Sequence, residues 1–293
     1  MESLGELERL VATVVRVVKT VRTGKGDGTS CSRIDTDNLG DFHRRLRPGS
    51  MLQKERDSSL RLGYRGNFAQ QLAAREPKAV ELFAAMEEVK EEAAKFMKVR
   101  AVWQFFEAEA DGEQLHVFAP GQSSPAHTWK LKRQKIEDRL CLSDYILPGQ
   151  SGKRDHVALF VVSAGEGVRE RSEAAKNAGY YFRSHGLQSL AIETAEACAE
   201  WLHRRIREDW GFPDPPEMTM AQRFKSSRYR GKRYSFGYPA CPDLEDQAGL
   251  WKLLRPEEIG VDLSEGFVMD PEASVSVLAF IHPDCTYFSV GEE

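Results

Sequence analysis

The chain has 293 residues, 41 basic against 45 acidic, and a formal net charge of −4, which excludes a general polyanion binder and leaves local basic patches open. Its five cysteines, Cys31, Cys141, Cys198, Cys241 and Cys285, are scattered and never spaced Cys-x-x-Cys, which argues against a disulfide framework and a structural zinc site. No run approaches the ~20 apolar residues of a membrane-spanning helix and the N-terminus lacks a signal-peptide layout, so a soluble cytoplasmic protein with reduced thiols is expected.

In chain order, residues 2–22 read as a helix. Leu7, Leu10, Val11, Val14, Val15, Val17, Val18 and Val21 form a broad apolar face. Residues 23–38 are polar and glycine-containing, a flexible connection without the phosphate-binding pattern. Residues 77–99 form a second helix, with Pro77 suited to its first turn. Runs 101–106 and 114–118 flank Asp111-Gly112 and predict a hairpin with a loop longer than two residues, and 127–133 a third strand.

The continuous apolar run 156–163 predicts a buried strand. It leads into Gly165-Glu-Gly167 and a charged helix, which suggests a dinucleotide fold. Glu170 stands where the third glycine would be, and no strand-helix series follows, so that reading is disfavoured. Residues 181–208 are the longest helical pattern, broken by the proline-rich stretch after Trp210. A short helix at 247–254 and a strand at 274–281 complete the chain. Mixed order and hairpins point to the α+β class.

The segment 223–238 concentrates the chemistry. Arg223, Lys225, Arg228, Arg230, Lys232 and Arg233 interleave with Phe224, Tyr229, Tyr234, Phe236 and Tyr238. Interleaved cations and rings grip single-stranded nucleic acid. Alternatively, Arg233, Gly237 and Tyr238 form a clamp for a small zwitterion. A guanidinium holds a carboxylate through two parallel hydrogen bonds, and a glycine lets the ligand approach bare backbone. A third reading is a solvated basic loop whose rings fill the core. Glu193, Glu196, Glu200 and His203 share a helix face, which suits acid/base work or simply water. His203 with Glu196 or Glu200 lacks a third metal ligand. Tyr287 and Phe288 either cap a core or cover a ligand.

Arg233-Tyr-Ser-Phe-Gly-Tyr-Pro-Ala-Cys-Pro242 and Met269-Asp-Pro-Glu-Ala-Ser-Val-Ser276 resemble the C-terminal activation domain of cobalamin-dependent methionine synthase. Leu142-Ser-Asp-Tyr145, Ser184-His-Gly-Leu-Gln188, Glu193-Thr-Ala-Glu-Ala197, Trp210-Gly-Phe-Pro-Asp-Pro215 and Leu263-Ser-Glu-Gly-Phe267 fit the same pattern in order, over roughly residues 60–290. The resemblance implies a C-shaped α+β domain around a bent antiparallel sheet at residues 51–293, with residues 1–50 as an N-terminal helix and connection outside the family pattern. It implies binding of S-adenosylmethionine as methyl donor for reductive methylation of cob(II)alamin. The cobalamin is then carried by a partner domain or chain, and flavodoxin or an equivalent reductant supplies the electron.

By similarity, Arg233 meets the ligand carboxylate, with Gly237, Tyr238 and backbone near Ser235 completing the motif. Glu196, Tyr287 and Phe288 also match positions at the ligand, Phe288 standing where the family often has a second Tyr. An acidic residue in the early segment meets the ligand amino group, with Asp57 preferred to Glu55. No residue is implied as catalytic or metal-binding. The cobalt-ligating motif D-x-H-x-x-G is absent, since Asp155 and His156 are adjacent, so the chain alone is not expected to make methionine.

Overall fold

The apolar runs of the sequence assemble around one central strand. The computed structural model describes residues 68–135, 138–218, 222–223 and 228–291, together with two N-terminal strands, β1 (Lys19–Arg22) and β2 (Ser32–Asp35). The further strands of the main sheet are β3 (Arg100–Asp111), β4 (Gln114–Phe118), β5 (His127–Lys130), β6 (Asp155–Ser163), β7 (Lys232–Tyr234) and, after a two-stranded ribbon, β10 (Ser274–Phe280). Its order is β1-β2-β3-β6-β10-β7, with β4 and β5 branching from β3, and every pairing is antiparallel. The ribbon is β8 (Asp262–Leu263) against β9 (Met269–Asp270).

β6 explains how one sheet supports two cores. Side chains alternate across a strand, so a continuous apolar run feeds both faces. Ala158, Phe160 and Val162 join one buried cluster, and Val157, Leu159 and Val161 the other. β10 divides in the same way, with Val275 and Val277 on the first side and Leu278 and Phe280 on the second.

The first face is covered by α2 (Pro77–Ala93) and α4 (Tyr181–Asp209). Leu187, Leu190, Leu202 and Ile206 of α4 are fully buried there. Burying one such side chain is worth about 1.5–3 kcal/mol. α1 (Phe68–Ala73) precedes α2, and α3 (Val168–Asn177) follows β6. The second face is covered by α5 (Gln247–Leu254) and by the turn Leu142–Tyr145. Among the described residues, no helix is long and apolar enough to cross a membrane.

Three expectations are corrected. Lys19–Arg22 is strand rather than the end of a helix, and Ser32–Asp35 is strand rather than flexible connection. These short runs contain β-branched residues compatible with either state. The open edge of β3 at Arg100–Trp103 pairs with Ser32–Asp35, and hydrogen bonding there decides the matter. The remainder of the expected helix over 2–22 lies outside the described residues. Finally, the hairpin turns through two residues, because Asp111 pairs with Gln114, and its ladder uses Glu107–Asp111 rather than 101–106. The earlier part of β3 is occupied by β2 on that edge and by β6 on the other.

Candidate functional site

β7 was not legible as a strand, yet it fixes the central side chain. Arg233 pairs with Ala279 of β10, flanked by Tyr234 opposite Leu278 and Lys232 opposite Phe280. Tyr234 points into the second core, where it is 3% exposed. Strand alternation sends Arg233 to the opposite face, toward α4. There its Nη2 donates to Glu196 Oε2 at 3.1 Å, and its Nε lies 3.6 Å from Glu200 Oε2. Burial works against the charged guanidinium, but Glu196 and Glu200 outweigh it, and Arg233 holds its proton more tightly than an ordinary arginine.

After β7 the chain folds back on itself in a tight loop. Gly237 has φ +82°, a left-handed conformation that glycine adopts without strain. Its N–H donates to Cys241 O at 2.9 Å, and the Cys241 N–H donates to Tyr238 O at 2.9 Å. The Cys241 thiol donates to Ser235 O at 3.0 Å and is pushed up to about 12, first by burial and then by Asp246 and Asp243. It is a structural donor rather than a nucleophile.

The segment carrying Tyr287 and Phe288 is tied to the same loop. Tyr234 Oη donates to Thr286 O at 2.6 Å, and the Val290 N–H donates to Pro239 O at 2.9 Å. Phe288 is half-buried, its ring 6.5 Å from that of Tyr145 and 6.4 Å from that of Tyr234. Tyr238 and Tyr287 are 60% and 55% exposed, so both rings are available to a flat ligand.

These elements enclose a cavity of about 360 Å³. Arg233, Ser235, Tyr238, Glu196, Tyr287 and Phe288, all singled out from the sequence, line it together. Gly237 belongs to the same loop but is not one of the lining residues. Asp57 and Glu55 lie outside the described residues. The sequence reading missed Tyr234, Pro239, Ala240 and Cys241 as lining residues, although all four belong to the motif that drew attention. It also missed the support behind Arg233. Glu200 and His203 are 3% and 1% exposed, so the acidic face of α4 is wet near Glu196 and dry beyond it.

That buried support is an ionic and aromatic assembly. The Tyr229 hydroxyl donates to Glu200 Oε2 at 3.3 Å. The Arg207 guanidinium carbon lies 3.8 Å from the centre of the Tyr229 ring, and His203 meets that ring edge-on at 5.2 Å. Arg207 is held by two 2.7 Å bonds to Asp214, which Arg223 Nε also reaches at 3.0 Å. Burial opposes the Asp214 carboxylate, but these guanidinium bonds prevail and hold it below the usual carboxylate range.

The cavity offers a charged fork, an acidic side chain, backbone and two exposed rings. It suits a small zwitterion with a flat group. Among the described residues, no nucleic-acid platform is built. Tyr229, Tyr234 and Phe236 are buried, Arg223 and Arg233 are paired with carboxylates, and Lys232 donates to the Tyr229 and Gly231 carbonyls. Phe224 and Lys225 lie outside the described residues. Among the described residues, no group of three His, Cys, Asp or Glu could hold a metal ion.

The sequence pattern of the family described as vitamin B12 dependent methionine synthase, activation domain, matches residues 60–292. A methionine synthase of Mycobacterium tuberculosis is 34% identical over 203 residues, which are 64% of this chain and 17% of that protein. The chain thus corresponds to a small part of that relative's length. Among solved structures, the MetH reactivation domain bound to AdoHcy superposes with a TM-score of 0.78 at 25% identity, over 94% of this chain and 84% of that one.

Proposed function

The chain belongs to the family of activation domains of vitamin B12-dependent methionine synthase, and from that premise we propose that its cavity binds S-adenosylmethionine for the reductive reactivation of cobalamin. The observation that carries this reading is the convergence of six sequence-selected residues on one cavity of about 360 Å³, with a guanidinium at its wall. A solved relative of the same fold is described with AdoHcy, the demethylated product of that donor.

In this reading Arg233 holds the ligand carboxylate. Its Nη1 has no hydrogen-bond partner among the described residues, while Nη2 is engaged by Glu196. Glu196 balances the ligand's ammonium. The backbone of Ser235 and the turn at Gly237 admit the amino-acid portion, and Tyr238, Tyr287 and Phe288 flank the flat portion. Asp57 is a further contact to the ammonium. When bound, S-adenosylmethionine supplies the methyl group and a reductant such as flavodoxin supplies one electron. The cobalamin that receives both sits on a partner domain or chain. This chain's residues bind and orient the donor; none is assigned an acid, base or nucleophilic role, and the chain does not make methionine alone.

Calorimetric titration of the 293-residue chain with S-adenosylmethionine tests the reading. We expect saturable binding, weakened by about 2 kcal/mol, roughly thirtyfold in Kd, in Arg233→Ala, the scale of a lost charge-assisted hydrogen-bonded pair. A wild-type chain that takes up no ligand sinks it.

A further inference from the structure

We propose that Glu200 is a positioning residue for ligand binding, which orients the Arg233 guanidinium from behind through a seat made with Tyr229. The inference rests on the reading of the cavity as a carboxylate-binding site and adds a residue that does not line it.

Glu200 lies one turn beyond Glu196 on α4, with its side chain 4% exposed. Its Oε2 accepts from the Tyr229 hydroxyl at 3.3 Å and lies in ion-pair range of Arg233 Nε, at 3.6 Å. Its Oε1 is buried and has no hydrogen-bond partner among the described residues. A carboxylate buried in this way is costly unless a cation stays beside it. Glu200 therefore ties Arg233 to one place. The guanidinium is planar and rigid, so Glu196 at Nη2 and Glu200 at Nε together fix its plane as well as its position.

The seat is itself tightly packed. The Tyr229 ring is 5% exposed, covered by Arg207 at 3.8 Å and abutted by His203 at 5.2 Å. Arg207 is anchored by both oxygens of Asp214. A donor fork aimed by packed neighbours loses less freedom on binding than one that must be gathered from solvent.

Charge alone predicts the opposite effect. Glu200 is an anion near the place of an incoming carboxylate, so repulsion would make Glu200→Gln bind more tightly. Positioning predicts weaker binding, and the two are separable. In titrations with S-adenosylhomocysteine, we expect Glu200→Gln to raise Kd about tenfold, because Arg233 loses the buried counter-charge beside its Nε. Decarboxylated S-adenosylmethionine, which gives Arg233 nothing to hold, should be unaffected by the substitution. The double variant with Arg233→Ala should bind no worse than Arg233→Ala alone. Equal or tighter binding of the carboxylate ligand by Glu200→Gln, or additive losses in the double variant, overturns the proposal.

A ligand-free readout separates its failure from that of the binding reading. The Arg233 Nε–H should give a protected, slowly exchanging NMR signal that Glu200→Gln abolishes. If wild type binds no ligand, the functional reading falls, and an unchanged signal in Glu200→Gln still overturns the positioning claim. Should that variant fail to fold, Tyr229→Phe keeps ring and charge and removes only the hydroxyl. It should raise Kd for the carboxylate ligand about threefold and leave the decarboxylated one unchanged. Loss of both to the same degree counts against positioning.

Discussion

His203 shows how one side chain ties the site to stability. It is 1% exposed, and its Nδ1 is buried without a hydrogen-bond partner among the described residues. Burial first, then Arg207, Arg233 and Lys232, hold its imidazole well below its ordinary value. In the unfolded chain it titrates near its ordinary ~6.5. The fold therefore binds fewer protons than the unfolded chain in the interval just below that value, and loses stability as pH falls through it. The cost approaches about 1.4 kcal/mol per pH unit for one proton. Glu200 contributes with the opposite sign, because burial raises it in the fold against the pull of Arg233, Arg207 and Tyr229. The difference between wild type and His203→Phe isolates the histidine. In urea denaturation, wild type should lose stability relative to the variant between about pH 7 and pH 5. A pH-independent difference would show that His203 titrates normally in the fold. Helical spacing placed Glu196, Glu200 and His203 on one face but could not say what that face meets. The partners Tyr229 and Arg233 arrive about 30 residues later on β7 and its approach, and no local pattern joins the two.

At the level of elements, two glycines near β7 bear unequal constraints. Gly231 has φ +73°, and a Cβ there would collide with the backbone oxygen of Phe280. Gly237 has φ +82°, but its Cβ would meet only the Leu244 side chain, at 2.8 Å. Backbone in a paired strand cannot yield, whereas Leu244 is 40% exposed and can rotate away. Gly237→Ala should cost about 1–2 kcal/mol, the price of a non-glycine residue in left-handed backbone. Gly231→Ala should cost clearly more, because it also pushes β7 from β10 and carries Arg233 with it. Thermal denaturation of the pair checks the ranking, and equal losses would refute it. The elements legible in the sequence were those with long, consistent patterns. α5 falls at its expected bounds of 247–254, α4 and β6 within a residue or so, and the candidate site within one quoted motif. β7 was not legible because two cations and one ring in three residues carry no strand signal. Its state is set by the free edge of β10, a tertiary fact. The early strands escaped for the same reason, and the acidic ligand contact proposed at Asp57 has no described position against which to be judged.

For the whole molecule, the decisive feature is a sheet whose central strands serve two cores. α2 and α4 seal one face, α5 and the Leu142–Tyr145 turn the other. Because β6 and β10 alternate between the clusters, neither face can lose its packing without exposing the strands that order its counterpart. The two cores should therefore unfold together. Leu187 of α4 and Leu250 of α5 are both 0% exposed and belong to opposite clusters. Leu187→Ala and Leu250→Ala should each cost about 2–5 kcal/mol. Their partners are not shared, so the double variant should lose the sum to within about 0.5 kcal/mol. Each variant should keep one urea transition, with coincident midpoints by tryptophan fluorescence and far-ultraviolet circular dichroism. A second transition in either single variant would mean that one layer survives alone. The alternation in β6 and β10 argues against that outcome: a layer left alone would present Phe160 and Val162, or Leu159 and Val161, to water across the breadth of the sheet. The cavity inherits this cooperativity. Arg233 sits on β7, which is paired to β10, while Glu196 and Glu200 sit on α4, so the geometry of the cavity holds only as long as helix and sheet stay packed.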